Sequence, residues 1–163
     1  MQYTIKEMIR NYAMEISNWT YTEPYNIYNG DRGEAFIEEL LTGSYFSVSD
    51  ENDKVVGFYC FGDAAQVPVG NQYQAYDDRS FLDIGLGMRP DLCGKGKGYE
   101  FFLEGLNFVQ HKLSVKKFRL TVAAFNKRAI KLYEKIGFKV TGTFERKNKD
   151  DSMVFVVMVL TRE

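Results

Sequence analysis

Cysteine and histidine are scarce in this chain. Of 163 residues, Cys60 and Cys93 are the two cysteines and His111 is the one histidine. Two cysteines build neither a disulfide framework nor a thiolate metal site, and one histidine builds no imidazole cluster, so no metal is expected. Thiols without a framework also suit the reducing cytoplasm, the expected compartment. An excess of one charge is missing too. Lys and Arg number 21 against 22 Asp and Glu, which leaves a formal charge of −1. No bulk field therefore directs the chain to nucleic acid or to an anionic membrane. No apolar run approaches the roughly 20 residues that cross a bilayer. Met1 to Arg10 carries charges and no apolar core, so it reads as no signal peptide. Repeats, linkers and low-complexity stretches are also lacking. The chain reads as a single domain over residues 1–163, long enough to bury a sizeable core. Aromatic residues are plentiful: the 11 Tyr and 13 Phe have a core or a ligand cleft to line.

The pattern of elements follows from apolar spacing. Gln2 to Ile5 reads as a short strand. Ile9, Tyr12, Ala13 and Ile16 recur at helical spacing, with Trp19 extending the stripe. An aromatic loop holding Trp19, Tyr21, Tyr25 and Tyr28 follows, broken by Pro24. Asp31 with Glu34 resembles a capping box and opens a second helix, with Phe36, Ile37, Leu40 and Leu41 on one face and Gly43 as its stop. Tyr45 to Ser49 and Val55 to Phe61 form a hairpin about the turn Asp50-Glu51-Asn52-Asp53. Gly62 to Arg79 reads as a long loop with an acidic pair, Asp77 and Asp78; loops of that length are often functional. Lys117 to Ala123 alternates as a strand with Phe118, Leu120 and Val122 on one face. Asn126 is placed as an N-cap, and the helix after it stops at Gly137. Phe138 to Phe144 and Ser152 to Leu160 close the chain as an antiparallel hairpin. The whole is a mixed α+β domain.

The most informative stretch is Phe81 to Phe102. Leu82, Ile84, Leu86 and Met88 alternate as a strand, and Pro90 ends it. The run Cys93-Gly94-Lys95-Gly96-Lys97-Gly98 comes next, and a helix to about Lys112 starts at its end, with Phe101, Phe102, Leu106 and Val109 inward. A strand, a glycine-rich turn and a helix N-terminus can form an anion cradle, with Lys95 and Lys97 adding charge. The bare spacing G-x-G-x-G is equally that of a tight turn. It is neither the dinucleotide fingerprint nor a P-loop, which keeps a nucleotide-binding protein only as a rival reading.

Met88-Arg89-Pro90, a short spacer and the glycine turn together resemble the acetyl-CoA-binding signature of the GNAT superfamily of N-acetyltransferases. Residues 126 to 138 add a second resemblance, N-x-x-A-x-x-L-Y-x-x-x-G-F, in which Asn126, Ala129, Leu132, Tyr133, Gly137 and Phe138 all match. The resemblance implies the GNAT fold, a central, mostly antiparallel twisted sheet of roughly six to seven strands with about four helices packed on both faces. It implies acetyl-CoA as co-substrate, held by Met88, Arg89, Cys93, Gly94, Lys95, Gly96, Lys97, Gly98, Asn126 and Arg128. Cys93 departs from the family's usual Arg or Gln, which removes one side-chain contact but not the backbone amides. The cations Arg89, Lys95, Lys97 and Arg128 either reach CoA phosphates or stay as solvated surface.

Acyl transfer from a thioester to an amine needs a neutral amine, donors for the developing oxyanion, and a proton for the departing thiolate. The resemblance assigns the last role to Tyr133; a phenol near pKa ~10 can protonate a thiolate whose acid lies near ~8.5. Without the resemblance, Tyr133 is one more residue on the apolar stripe of Ala129, Leu132 and Ile136. The resemblance also places oxyanion donors on the backbone around Gly87 to Arg89, where Gly85 and Gly87 either allow close approach or a bulge or merely break the strand. Asp83, on the strand face opposite Leu82 and Ile84, is the general-base candidate; solvation or a salt bridge is the alternative. Trp19, Tyr21, Tyr25 and Tyr28 are the substrate-binding candidates, either as a cation–π pocket for an amine or as packing against the sheet. The expected acceptor is a small cationic amine, a peptide N-terminus or a lysine. A longer acyl donor, and a non-catalytic acyl-CoA-binding or regulatory module on the same fold, are the alternatives. The apolar run Met153 to Leu160 permits a homodimer.

Overall fold

In the computed structural model, residues 2–30 and 33–163 are described. Seven strands form one hydrogen-bonded order, β1-β2-β3-β4-β5-β7-β6. They are β1 (Thr4–Glu7), β2 (Tyr45–Ser49), β3 (Val55–Phe61), β4 (Leu82–Met88), β5 (Lys117–Ala123), β6 (Lys139–Lys147) and β7 (Ser152–Thr161). Four α-helices accompany them among the described residues: α1 (Arg10–Ser17), α2 (Glu34–Leu40), α3 (Gly98–Leu113) and α4 (Lys127–Ile136). Pairs β1–β2, β2–β3, β5–β7 and β6–β7 are antiparallel, and β4–β5 is parallel. The expected mixed α+β class is present. The chain divides into two compact units, Met1–Cys60 with Leu86–Phe102, and Phe61–Gly85 with Leu103–Glu163.

The first unit forms around the β2–β3 hairpin. Its turn is fixed by Asp50, whose Oδ1 accepts from the N–H groups of Asn52 (2.9 Å) and Lys54 (3.0 Å). Val48, Val55, Val56 and Tyr59 are almost fully buried, as are Phe101 and Phe102 of α3. Tyr59 lies 4.9 Å from the Phe101 ring and donates its hydroxyl to the Phe101 carbonyl at 2.5 Å. Gly57 is bare of necessity: a Cβ there would press on the Phe101 ring and lie 2.7 Å from the Gly87 oxygen. Gly87 is bare for its own reason: a Cβ there would press on the Phe58 ring of β3.

The second unit is built on β5, which pairs with β7 along its whole length from Lys117 to Ala123. Phe118, Leu120 and Val122 are buried, as their alternation requires. Asn126 caps α4 by accepting from the Ala129 N–H at 3.2 Å, and Gly137 ends that helix at φ 124°. Tyr76, Ala123, Phe144, Phe155 and Val157 make a further apolar cluster.

Several boundaries differ from the sequence reading. Trp19 lies outside α1, because Ser17 Oγ and Asn18 Nδ2 both donate to the Met14 carbonyl and close the helix at Ser17. The Asp31 half of the capping box lies outside the described residues; Gly33 is the N-cap of α2 and makes no side-chain bond. That helix ends at Leu40, before Gly43. The stretch from Gly62 to Arg79 contains two 3-10 turns, Gly62–Ala65 and Pro68–Tyr73. Tyr76 anchors them, accepting from the Val67 N–H at 3.0 Å and sharing a bond with the Thr121 hydroxyl at 2.8 Å.

Candidate functional site

In the first unit, β4 ends at Met88 and the chain passes through a 3-10 turn, Pro90–Leu92, into the glycine run. Gly94 and Gly96 adopt φ 74° and 76°, the left-handed region that glycine enters without cost. Left-handed residues alternating with ordinary ones turn successive N–H groups to one side, which is the anion-binding geometry of a nest. A Cβ on Gly96 would meet no atom within 4 Å, so the space in front of the turn is open. Helix α3, of 16 residues, starts at Gly98 and presents its positive end there. Lys95 is exposed and Lys97 half-buried.

Two residues placed in this cradle by the sequence brace the corner leading into it. Arg89 donates Nε and Nη2 to Asp91 (2.6 and 3.3 Å) and Nη1 to the Val55 carbonyl (3.3 Å). That pairing holds the Asp91 carboxyl below its ordinary value. The Cys93 thiol is directed at the Met88 and Arg89 carbonyls, 3.6 and 3.7 Å away.

Tyr21 brings the aromatic loop to the same corner. Tyr21 donates its hydroxyl to the Met88 carbonyl at 2.7 Å, and burial pushes this phenol's pKa up. Tyr28 stands edge-on to Tyr21, with ring centres 6.4 Å apart. Trp19 instead stacks near Phe58 of β3. Tyr25 sits half-buried in the 3-10 turn Tyr25–Tyr28. The Arg89 N–H is spent on the Val56 carbonyl at 2.8 Å, so it faces β3. Extended backbone alternates its N–H groups between edges, which turns the Met88 N–H away from β3. Of the amides from Gly87 to Arg89, Met88 therefore retains the outward one.

In the second unit, β4 and β5 pair at Leu82 with Phe118 and at Asp83 with Arg119. Asp83 is 3% exposed and Arg119 4%. Arg119 grips the carboxylate with both Nε and Nη2 at 2.8 Å, and Gln66 adds a third bond at 2.9 Å. Arg119 also donates to the Asp78 carbonyl at 2.9 Å and lies 5.2 Å from the centre of the Tyr76 ring. The Asp83 carboxylate raises the pKa of the guanidinium still further. The pair forms part of a cavity of about 150 Å³ whose walls include Gln66, Tyr76, Arg79 and Phe81. Of the salt bridge and the free base open to Asp83 in the sequence, the structure shows the salt bridge. Asn126 and Arg128 stand at the start of α4, the first as its cap and the second exposed. Tyr133 is 9% exposed, with its ring edge-on to Phe138 at 6.1 Å.

Sequence reasoning missed Arg119, Gln66 and Tyr76. Arg119 carried a signal: it is a lone cation between Phe118 and Leu120, as Asp83 is a lone anion between Leu82 and Ile84. Two opposite charges on adjacent apolar strands call for each other once the strands are paired. Among the described residues, no group of three or more His, Cys, Asp and Glu could hold a metal ion, and no helix is long and apolar enough to cross a membrane.

The sequence model of the acetyltransferase (GNAT) family matches residues 10–138. No curated protein matches the chain in sequence. Solved structures do match in shape. A GNAT-family acetyltransferase from Bacillus anthracis superposes with a TM-score of 0.71 at 15% identity, covering 99% of this chain and 95% of that one. Mutant forms of the spermidine/spermine N-acetyltransferase SpeG from Vibrio cholerae give 0.68 at 18% identity, covering 98% and 95%. A candidate phosphinothricin N-acetyltransferase gives 0.71 at 17% identity, covering 99% of both chains. Likeness at these identities speaks for the fold alone.

Proposed function

Because the chain belongs to the acetyltransferase (GNAT) family and is an acyltransferase, we propose that it moves an acetyl group from acetyl-CoA to a primary amine by direct attack, as one catalytic domain. The observation that carries the donor half is the glycine turn. Left-handed Gly94 and Gly96, open space before Gly96 and the α3 N-terminus suit a pyrophosphate. Lys95 and Lys97 add countercharge; Arg89, tied to Asp91, shapes the corner. Asn126, Arg128 and Tyr133 carry the family's second motif. Two cysteines that form no disulfide fit a cytoplasmic setting.

When bound, acetyl-CoA supplies a thioester whose carbonyl carbon accepts the amine. The residues of this chain do the rest. The Met88 N–H, turned away from β3, donates to the acetyl oxygen as charge builds there. The Tyr133 hydroxyl gives its proton to the departing sulfur. The C–N bond forms and the C–S bond breaks; the proton that the acylated nitrogen loses returns through solvent to the Tyr133 oxygen, which leaves an amide, free thiol and a neutral phenol. Asp83 holds Arg119 rather than acting as base, since taking up a proton would mean giving up a buried bidentate ion pair. Tyr21 fixes the strand end that presents Met88.

Calorimetric titration with acetyl-CoA, with ATP as control, tests this reading. Saturable acetyl-CoA binding without ATP binding is expected. Gly96→Val should still fold, because strain at φ 76° costs roughly 1–2 kcal/mol against a typical domain stability of about 5–15. It should lose acetyl-CoA, because its side chain fills the open cradle. ATP binding in place of acetyl-CoA, or wild-type affinity in Gly96→Val, would overturn the assignment.

A further inference from the structure

The cavity of the second unit has a charge pattern that the acyl-transfer reading leaves unused. Its walls carry two carboxylates, Asp63 and Asp83, and two guanidinium groups, Arg79 and Arg119. Its other walls are uncharged, so the lining is formally neutral. The four charges are not equivalent. Asp83 and Arg119 are buried and satisfy each other. Asp63 and Arg79 are exposed, and neither side chain has a hydrogen bond or ion pair among the described residues. The cavity thus has a fixed, self-neutralised floor and one available charge of each sign where it meets solvent.

From this pattern we infer that the cavity binds a small zwitterion, with its ammonium on Asp63 and its carboxylate on Arg79. The α-amino acid backbone is the simplest such ligand. A polyamine brings two or more ammonium groups and no anion, so it would set a cation against Arg79 or Arg119. A simple carboxylate would leave Asp63 unanswered. A zwitterion satisfies both, and charged groups taken from water into a cleft need partners of opposite sign. Size agrees: a protein cavity of about 150 Å³ accommodates benzene, a molecule of about six heavy atoms. Glycine and alanine are of that order. The rings of Tyr76 and Phe81 offer apolar walls to a short side chain. As the substrate class for acyl transfer, this inference rests on the function proposed above; as a binding site, it does not.

Calorimetric titration with L-alanine, L-alaninamide, propionate and spermidine separates the two. L-alanine should bind saturably. Alaninamide lacks the carboxylate and propionate the ammonium, and each should bind about tenfold to a hundredfold more weakly, the effect of one charged hydrogen bond. Asp63→Asn should weaken alanine and alaninamide alike. Arg79→Gln should weaken alanine and leave alaninamide unchanged. Both are surface changes, so folding should survive. Spermidine binding more tightly than alanine, alanine failing to saturate, or wild-type alanine affinity in both variants would overturn the inference. Acetyl-CoA is titrated into the same samples. Acetyl-CoA binding without alanine binding sinks the zwitterion site alone, and the reverse sinks the donor assignment alone. With both present, free CoA thiol should be released; alanine binding without thiol release would overturn its place as acceptor.

Discussion

Replacing Arg119 by methionine removes the partner of a carboxylate that is 3% exposed. Asp83 would lose two charge-assisted bonds of 2.8 Å and keep Gln66 alone. Breaking a buried pair from one side costs about 3–5 kcal/mol, because the surviving charge stays out of water. For a chain of 163 residues that corresponds to a fall in melting temperature of about 10 °C. Asp83→Asn should cost less, about 2 kcal/mol. The amide oxygen can still accept, and the guanidinium keeps the Asp78 carbonyl and the Tyr76 ring. Exchanging both residues for apolar ones, Asp83→Leu with Arg119→Met, should cost less than the sum of the single changes. Urea unfolding followed by far-ultraviolet circular dichroism measures all three. Trp19 fluorescence alone would not serve, since Trp19 belongs to the first unit and the ion pair to the second. A loss below about 1 kcal/mol in Arg119→Met would refute the reasoning, for it would give the pair the worth of a solvated surface bridge. The pH–rate profile of Asp83→Asn supplies the functional half. A positioning residue leaves its shape unchanged, whereas loss of the acidic limb would restore Asp83 as general base.

Tyr133→Phe should lower kcat by more than about tenfold with acetyl-CoA affinity retained, because general acid catalysis typically contributes about 10²–10⁴; unchanged turnover removes Tyr133 from the chemistry. Tyr21→Phe should show in alkaline unfolding. Burial raises the folded-state pKa of Tyr21 above the ordinary 10.0, so its contribution is complete below about pH 10 and is lost as the pH rises towards the folded value. The variant should be less stable by about 1 kcal/mol at neutral pH and lose less stability above pH ~10; parallel stability profiles would contradict this.

Much of the fold could be read because its signals are local. The β2–β3 hairpin, β5 and the Asn126–Gly137 helix fall where alternation and capping place them. The glycine turn was legible because left-handed backbone leaves a direct mark in composition. The misplaced features depend on contacts that spacing does not show. Trp19 continues the helical stripe in sequence, yet Ser17 and Asn18 end the helix through a carbonyl three or four residues back. The loop from Gly62 to Arg79 lacks periodicity because its order comes from Tyr76, whose hydroxyl bonds Val67 and Thr121, nine and 45 residues away.

Asp83 shows where a face-by-face reading stops. Alternation correctly sets it opposite Leu82 and Ile84, and a carboxylate off an apolar face is naturally assigned to solvent or to catalysis. That inference holds for a strand with one wet face. β4 is fourth of seven in the sheet order, and a central strand can be covered on both faces. A charge there must find its opposite close by, and the in-register neighbour of Asp83 on β5 is Arg119. The face of Asp83 was legible and its partner was not, because ionic context is set by a strand 36 residues further along the chain. The carboxylate left to meet a substrate amine in that unit's cavity is then Asp63, which precedes the long loop and which no motif marks.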